Sequence, residues 1–305
     1  MDSTLEVLFI LCIIISFYYL TQFFRSRSHQ LEEGFTQNDL FVSKQNEHIY
    51  DDFYVSMYDR IHKTRHQSKY DFTKIVQNTQ PSVSSVFLDV GSGTGTLVNR
   101  LNNNGFRAYG IDSSEAMVQY STSKYPDSEF KCGDVKKSME FEPETFSHVL
   151  CTYFTLYEMG DKSVFFDNCR RWLKTGGYLI VHLVDKLEFD TIVPVGKLFK
   201  NRHIDENTNT NNGTRILSTS VALPNIQYSH KYAFHDHDVV NRIETFTDKK
   251  THKVRHQEGR TTITPISDII QMAKSKGFYV KGYADYFPYN RDKHQYLYFF
   301  EKIDV

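Results

Sequence analysis

Residues 87–97 read FLDVGSGTGTL, an apolar run ending in an acid and then glycines at 91, 93 and 95. A buried strand that runs straight into alternate glycines and then into TLVNRLNNNG, a helix stopped at Gly105, sets bare backbone against a ligand. The spacing discriminates between ligands. A dinucleotide fingerprint wants its third glycine three residues after the second, where pyrophosphate approaches the backbone, and Thr96 stands there. No Gly-Lys-Ser/Thr follows, which excludes a P-loop. The turn suits a ligand without phosphate, cradled by main chain along its polar tail.

Outward from this turn the pattern alternates. RAYGID (107–112) is the next strand, and SSEAMVQYSTSKY is a helix with Ser113 or Ser114 as N-cap. EFKCGD, SHVLCTY and YLIVHLV are further strands, with the helix DKSVFFDNCRRWLK between the last two. Such alternation implies right-handed crossovers and a mostly parallel sheet. Asp112 ends its strand 23 positions after Asp89, where a carboxylate accepts from both ribose hydroxyls. Asp134 takes an exocyclic amine or ring donor, and Val135 packs the base. Nucleoside, ribose and a zwitterionic tail together describe S-adenosylmethionine. The competing structural roles are a helix cap for Asp89, strand-end turns for Asp112 and Asp134, and core packing for Met117.

With LDVGSGTG, GIDSSEAM, CGDV, FSHVLCTYFTLYEM and LKTGGYLIVHLVD in place, the stretch from about 50 to 185 resembles the class I S-adenosylmethionine-dependent methyltransferases. The resemblance implies an α/β, doubly wound Rossmann-like seven-stranded sheet with an antiparallel last strand. It also implies an antiparallel β insertion after strand five that helps form the acceptor pocket. S-adenosyl-L-methionine is the implied cofactor, held by Asp89, Gly91, Ser92, Gly93, Gly95, Asp112, Ser113, Met117, Asp134, Val135 and Tyr153.

Five segments follow from these patterns. LEVLFILCIIISFYYLTQFF near the N-terminus is uncharged from Val7 to Leu20, which predicts a transmembrane helix at 4–24. Its aromatic end followed by RSRSHQ places the bulk of the chain on the cytoplasmic side of the membrane as a single-pass protein. Residues 25–48 read as a polar linker. Residues 49–185 hold the cofactor-binding core, opened by an amphipathic helix in which Tyr50, Phe53, Tyr54, Met57, Tyr58 and Ile61 recur at helical steps. Residues 186–264 form a polar loop and the antiparallel insertion, and 265–305 supply the last helix and strand pair.

Net charge is −1, so no overall field draws the chain to nucleic acid, and no nucleic-acid partner is expected. The spacing of Cys12, Cys132, Cys151 and Cys169 matches neither a zinc site nor a disulfide framework. His230, His235, Asp236, His237 and Asp238 invite a metal reading, but no third ligand is fixed by their spacing, and no metal is expected.

Methyl transfer from a sulfonium is an in-line displacement, so alignment of the reacting atoms carries most of the rate and a general base is optional. The candidates near the methyl position are Tyr157, Glu158 and His182, with Tyr50, Tyr54, Tyr58 and Asp185 as acceptor-side contacts. His182 has the ordinary pKa best suited to deprotonating an acceptor near neutrality. A small-molecule or lipid-like, membrane-associated acceptor is the first expectation. The alternatives are a protein or, less favoured, RNA acceptor, and a non-catalytic scaffold. The sequence leaves the oligomeric state open.

Overall fold

The computed structural model describes residues 12–13, 15–19, 35, 37–191, 193–195, 218–235 and 238–303. Strand β1 (Phe41–Gln45) and a 3-10 turn (Asn46–Ile49) lead into helix α1 (Asp52–His62) and helix α2 (Thr64–Thr79). Asp51 caps α1 by accepting from the Tyr54 N–H. The sequence pattern predicts one amphipathic helix here, but Lys63 adopts a left-handed conformation at φ +52° and divides it in two. Neither glycine nor proline marks the break.

The main sheet uses β2 (Val86–Val90), β3 (Arg107–Asp112), β4 (Glu129–Cys132), β5 (Phe146–Cys151), β6 (Leu173–Val184), β11 (Phe278–Asp285) and β12 (Gln295–Lys302), in the order β11-β12-β6-β5-β2-β3-β4. β2 pairs in parallel with β3 and β5, β3 with β4, and β5 with β6, whereas β12 runs antiparallel to β6 and β11. This is the expected seven-stranded doubly wound sheet with its reversed strand. Its two faces feed separate cores: Val86, Leu88 and Val90 enter one, while Phe87 enters the other. Helices α3 (Thr96–Asn102), α4 (Glu115–Lys124), α6 (Lys162–Trp172) and α7 (Ile266–Ser275) flank it, with α5 (Thr155–Glu158) a short turn after β5. The inward side of α6 buries Phe165, Phe166 and Trp172 completely, and each such side chain contributes about 1.5–3 kcal/mol. The Trp172 indole N–H is satisfied by the Ser138 carbonyl at 3.1 Å.

The insertion is a second sheet in the order β1-β10-β9-β8-β7, formed by β7 (Ser218–Ala222), β8 (Ile226–Phe234), β9 (Val239–Asp248) and β10 (Val254–Thr262). Its four later strands are antiparallel, and β1 joins the β10 edge in parallel. The stretch read as polar linker thus ends in a strand. Phe41–Gln45 finds a partner that lies over 200 positions later, which local patterning does not announce. A third core, with Tyr54, Met57, Met117, Tyr228 and Phe246, packs α1 between this sheet and α4. The insertion is therefore clamped over the C-terminal edge of the main sheet.

The expectation of a transmembrane helix at 4–24 requires correction. Among the described residues no helix is long and apolar enough to cross a membrane. The described residues of that segment, Cys12, Ile13 and Ile15–Tyr19, are helical and exposed. The rest of that segment lies outside the described residues, as does 196–217 of the polar loop. Membrane anchoring, a membrane partner, the lipid-like acceptor argued from it, and the single-pass, cytoplasm-facing placement all lose their structural basis.

Candidate functional site

Where the strands of the main sheet end, β2, β3, β4 and β5 deliver their following loops to one cavity of about 500 Å³, roofed by the 3-10 turn, α1 and the end of β10. The glycine turn forms its floor. Gly91 has φ +67°, and a Cβ there would stand 2.8 Å from the Thr155 hydroxyl, so both conformation and space demand glycine. Gly93 has φ +52°, and its N–H donates to the Asp112 carboxylate at 2.8 Å. The other Asp112 oxygen accepts from the Ser114 N–H at 2.9 Å. Burial raises the Asp112 pKa, and these main-chain donors oppose it. Ser114 caps α4 by accepting from the Met117 N–H, and its hydroxyl donates to the Tyr50 carbonyl, tying the roof to the sheet.

Of the residues singled out from sequence, Gly91, Gly93, Asp112, Ser113, Met117, Asp134, Val135, Tyr153, Tyr50, Tyr58 and Glu158 line this cavity. Asp134 is held by the Lys136 N–H at 3.0 Å. Asp89 and Ser92 sit behind the glycine turn, in a smaller chamber. Gly95 lines neither space; it starts α3 at φ +74° and packs on Phe130 and Ser121. Tyr54 lies one layer deeper than Tyr50 and is fully buried.

Three other candidates stand off the cavity. The Tyr157 hydroxyl accepts from the Val184 N–H at 2.8 Å. Asp185 accepts from the Leu187 N–H and belongs to the loop after β6. His182 is buried, its Nδ1 against the Tyr153 carbonyl and its Nε2 3.2 Å from Gln295. Burial lowers its pKa to about 4. It contributes to an adjacent chamber of about 30 Å³ that shares Tyr153, Phe154 and Arg242 with the main cavity.

Between the roof and the insertion runs a polar network. The Tyr50 hydroxyl donates to Glu158 at 2.6 Å, and Arg242 of β9 pairs with Glu158 at 3.2 Å while donating to the Tyr50 oxygen at 3.0 Å. Deeper in, Glu244 accepts from Tyr228 at 2.6 Å, Tyr54 at 2.9 Å and Gln257 at 3.1 Å, with the Arg242 Nε 3.6 Å away. Burial, the largest influence, pushes the Glu244 pKa up, and the Arg242 guanidinium together with the surrounding donors more than offsets it, bringing it to about 2. Because Tyr54 donates to Glu244, its oxygen accepts from His62 Nε2–H at 3.2 Å. His62 Nδ1 is left to accept from the Tyr153 hydroxyl at 2.9 Å. Burial keeps that imidazole neutral, its pKa brought down to about 3. Tyr153 holds its place with a left-handed backbone at φ +55°.

Arg242, Glu244, His62 and Tyr228 are absent from the sequence-derived site. One signal for two of them was available: in VVNRIETFTD the alternation puts Arg242 and Glu244 on the same face as Val240 and Phe246. Charges on the apolar face of a strand require a buried partner. Among the described residues no group of three or more His, Cys, Asp or Glu is placed to hold a metal, and Asp236 and His237 lie outside them.

The cavity fits S-adenosylmethionine on its own terms. Glycines at 91 and 93 leave a backbone cradle beside Asp112, and Asp134 with Val135 faces the far end. A family model described as a methyltransferase domain matches residues 88–181. No curated protein matches the chain. Among solved structures, an S-adenosylmethionine-dependent methyltransferase from Clostridium acetobutylicum aligns with TM-score 0.63 at 16% identity, covering 83% of this chain and 98% of that one. CalS10, an amino pentose methyltransferase from Micromonospora echinaspora solved with S-adenosylmethionine bound, aligns with TM-score 0.58 at 16% identity, covering 82% and 96%. The sugar N-methyltransferase KedS8 from Streptoalloteichus aligns with TM-score 0.52 at 18% identity, covering 76% and 85%. At these identities the likeness is one of fold.

Proposed function

We propose that this chain, a class I S-adenosylmethionine-dependent methyltransferase, methylates the nitrogen of an amine carried by a polar small molecule, with Glu158 orienting that amine and receiving its proton. The observation that carries this reading is the Glu158 carboxylate, which lines the cofactor cavity and is fixed from behind by Tyr50 and Arg242. A carboxylate held at two points accepts a hydrogen bond from an acceptor N–H and turns the nitrogen lone pair toward the methyl carbon. The charge balance agrees: Glu158 and Glu244 together outweigh the single Arg242, so the network favours a cationic ammonium over an anionic acceptor. The amino pentose and sugar N-methyltransferases among the fold relatives are consistent with that class.

Bound S-adenosylmethionine supplies the activated methyl group on a sulfonium. Asp112, held by two main-chain N–H groups, is placed to accept from ribose hydroxyls, and Asp134 with Val135 to hold the base. Tyr58 and Tyr153 close the reacting end from the roof and from the end of β5, and Tyr153 is fixed by its bond to His62. His182 serves to seat Tyr153 through its main-chain carbonyl and does not reach the cavity. Labelled S-adenosylmethionine offered with a panel of amino sugars, other polar amines and their hydroxyl analogues tests the reading. Incorporation into the amines supports it. Incorporation confined to hydroxyl analogues, protein, nucleic acid or lipid overturns it.

A further inference from the structure

We propose that Asp71 of α2, together with Asp89, forms a binding chamber for the ammonium group on the amino-acid tail of the cofactor, so that the protein distinguishes tail-bearing from tail-less thioadenosines. The inference rests on the cofactor assignment and adds to it a residue from outside the glycine and strand-end motifs. Behind the glycine turn lies a space of about 60 Å³ that shares Tyr58, Gly91, Gly93, Tyr153 and Thr155 with the main cavity. Both carboxylates line it, Asp71 at 1% and Asp89 at 3% exposure.

The two acids differ in how they are satisfied. Asp71 accepts from the Tyr286 hydroxyl and from the Gln67 side chain, both neutral donors. Asp89 Oδ1 is buried with no hydrogen-bond partner. Among the described residues neither acid forms an ion pair. The buried Asp89 oxygen without a donor costs free energy unless a ligand supplies one, and two buried acids without an ion pair beside one space suit a positive charge. Burial raises the pKa of both, to about 7 for Asp71 and well above the ordinary carboxylate value for Asp89, where the neighbouring Asp71 charge adds to the effect. An ammonium with three donors fits this deficit: one N–H for Asp89 Oδ1, one for Asp71, and a third for the threonine hydroxyls in the chamber wall, Thr152 and Thr155 among them. Nothing else in that wall carries a fixed positive charge.

Calorimetric titration with S-adenosylhomocysteine, which has the tail, and with 5′-methylthioadenosine, which lacks it, tests this on the full chain. Asp71→Asn is expected to weaken S-adenosylhomocysteine about tenfold, as for loss of one charge-assisted hydrogen bond, and to leave 5′-methylthioadenosine unchanged. The second ligand doubles as the check that the variant is folded. Equal losses for both ligands, or no loss for either, would overturn the assignment of Asp71. Absence of binding of either ligand to the unaltered chain would overturn the cofactor assignment and this one with it.

Discussion

Glu244→Gln puts the polar network between the roof and the insertion under direct strain. Glu244 is 1% exposed, accepts three hydrogen bonds and lies against the Arg242 guanidinium. The amide keeps the shape but removes the charge and turns one acceptor oxygen into a donor. That donor then faces Tyr228, or else Tyr54 and Gln257, all of which already donate. Removing one partner of a buried pair costs about 3–5 kcal/mol, because the remaining charge stays desolvated. In a chain of this size each kcal/mol moves Tm by about 2–4 °C, so the predicted drop is roughly 6–20 °C. Thermal unfolding followed by circular dichroism measures it. The exposed Lys281–Glu301 pair, at 3.0 Å, is the control, and Glu301→Gln should leave Tm where it is. A Glu244→Gln shift below about 2 °C would refute the claim that this network is a buried, charge-balanced unit.

Acid sensitivity follows from four imidazoles held neutral by burial: His62 at about 3, and His148, His182 and His230 at about 4. Each folded-state value lies below the unfolded 6.5, so this stability is present above pH 6.5 and is lost as pH falls toward 4, by up to about 1.4 kcal/mol per pH unit for each group. Asp71, raised to about 7, acts with the opposite sign between about pH 4 and 7, and Asp89 and Asp112, also raised by burial, act in the same sense, so together they offset part of the four. Urea midpoints should therefore decline from pH 6.5 to 4.5, and a flat profile would count against the buried neutral histidines. Glu158→Gln is expected to lower kcat about 100-fold while calorimetry finds S-adenosylhomocysteine affinity unchanged. Full activity in that variant would remove Glu158 from the chemistry.

The half of the cavity proposed to hold the cofactor was readable because its determinants are local. Glycines at 91 and 93, an acid at the end of β3 and an acid after β4 occupy fixed positions within strand-turn-helix units. The same local logic gave the alternation of strands and helices, while the seven-stranded order with its reversed final strand came from the family resemblance. The half proposed to hold the acceptor was not readable in this way. Arg242 meets Tyr50 and Glu158 only because the insertion folds back over α1, and no spacing in the sequence encodes that contact. His182 misled for a related reason: a histidine in a strand can face either side, and here it turns toward Gln295 and away from the cavity. Tyr157 was likewise drawn into packing by the Val184 N–H. Apolar length near the N-terminus pointed to a membrane span, yet among the described residues no helix is long and apolar enough to cross a membrane.

The central claim is that Asp112, presented by the N–H groups of Gly93 and Ser114, grips the cofactor's ribose beside a glycine cradle. Calorimetry of S-adenosylhomocysteine binding to the full chain and to Asp112→Ala tests it most directly. A loss of at least about tenfold in affinity is the predicted result. Unchanged affinity, or a preference of the unaltered chain for a nicotinamide dinucleotide, would contradict it.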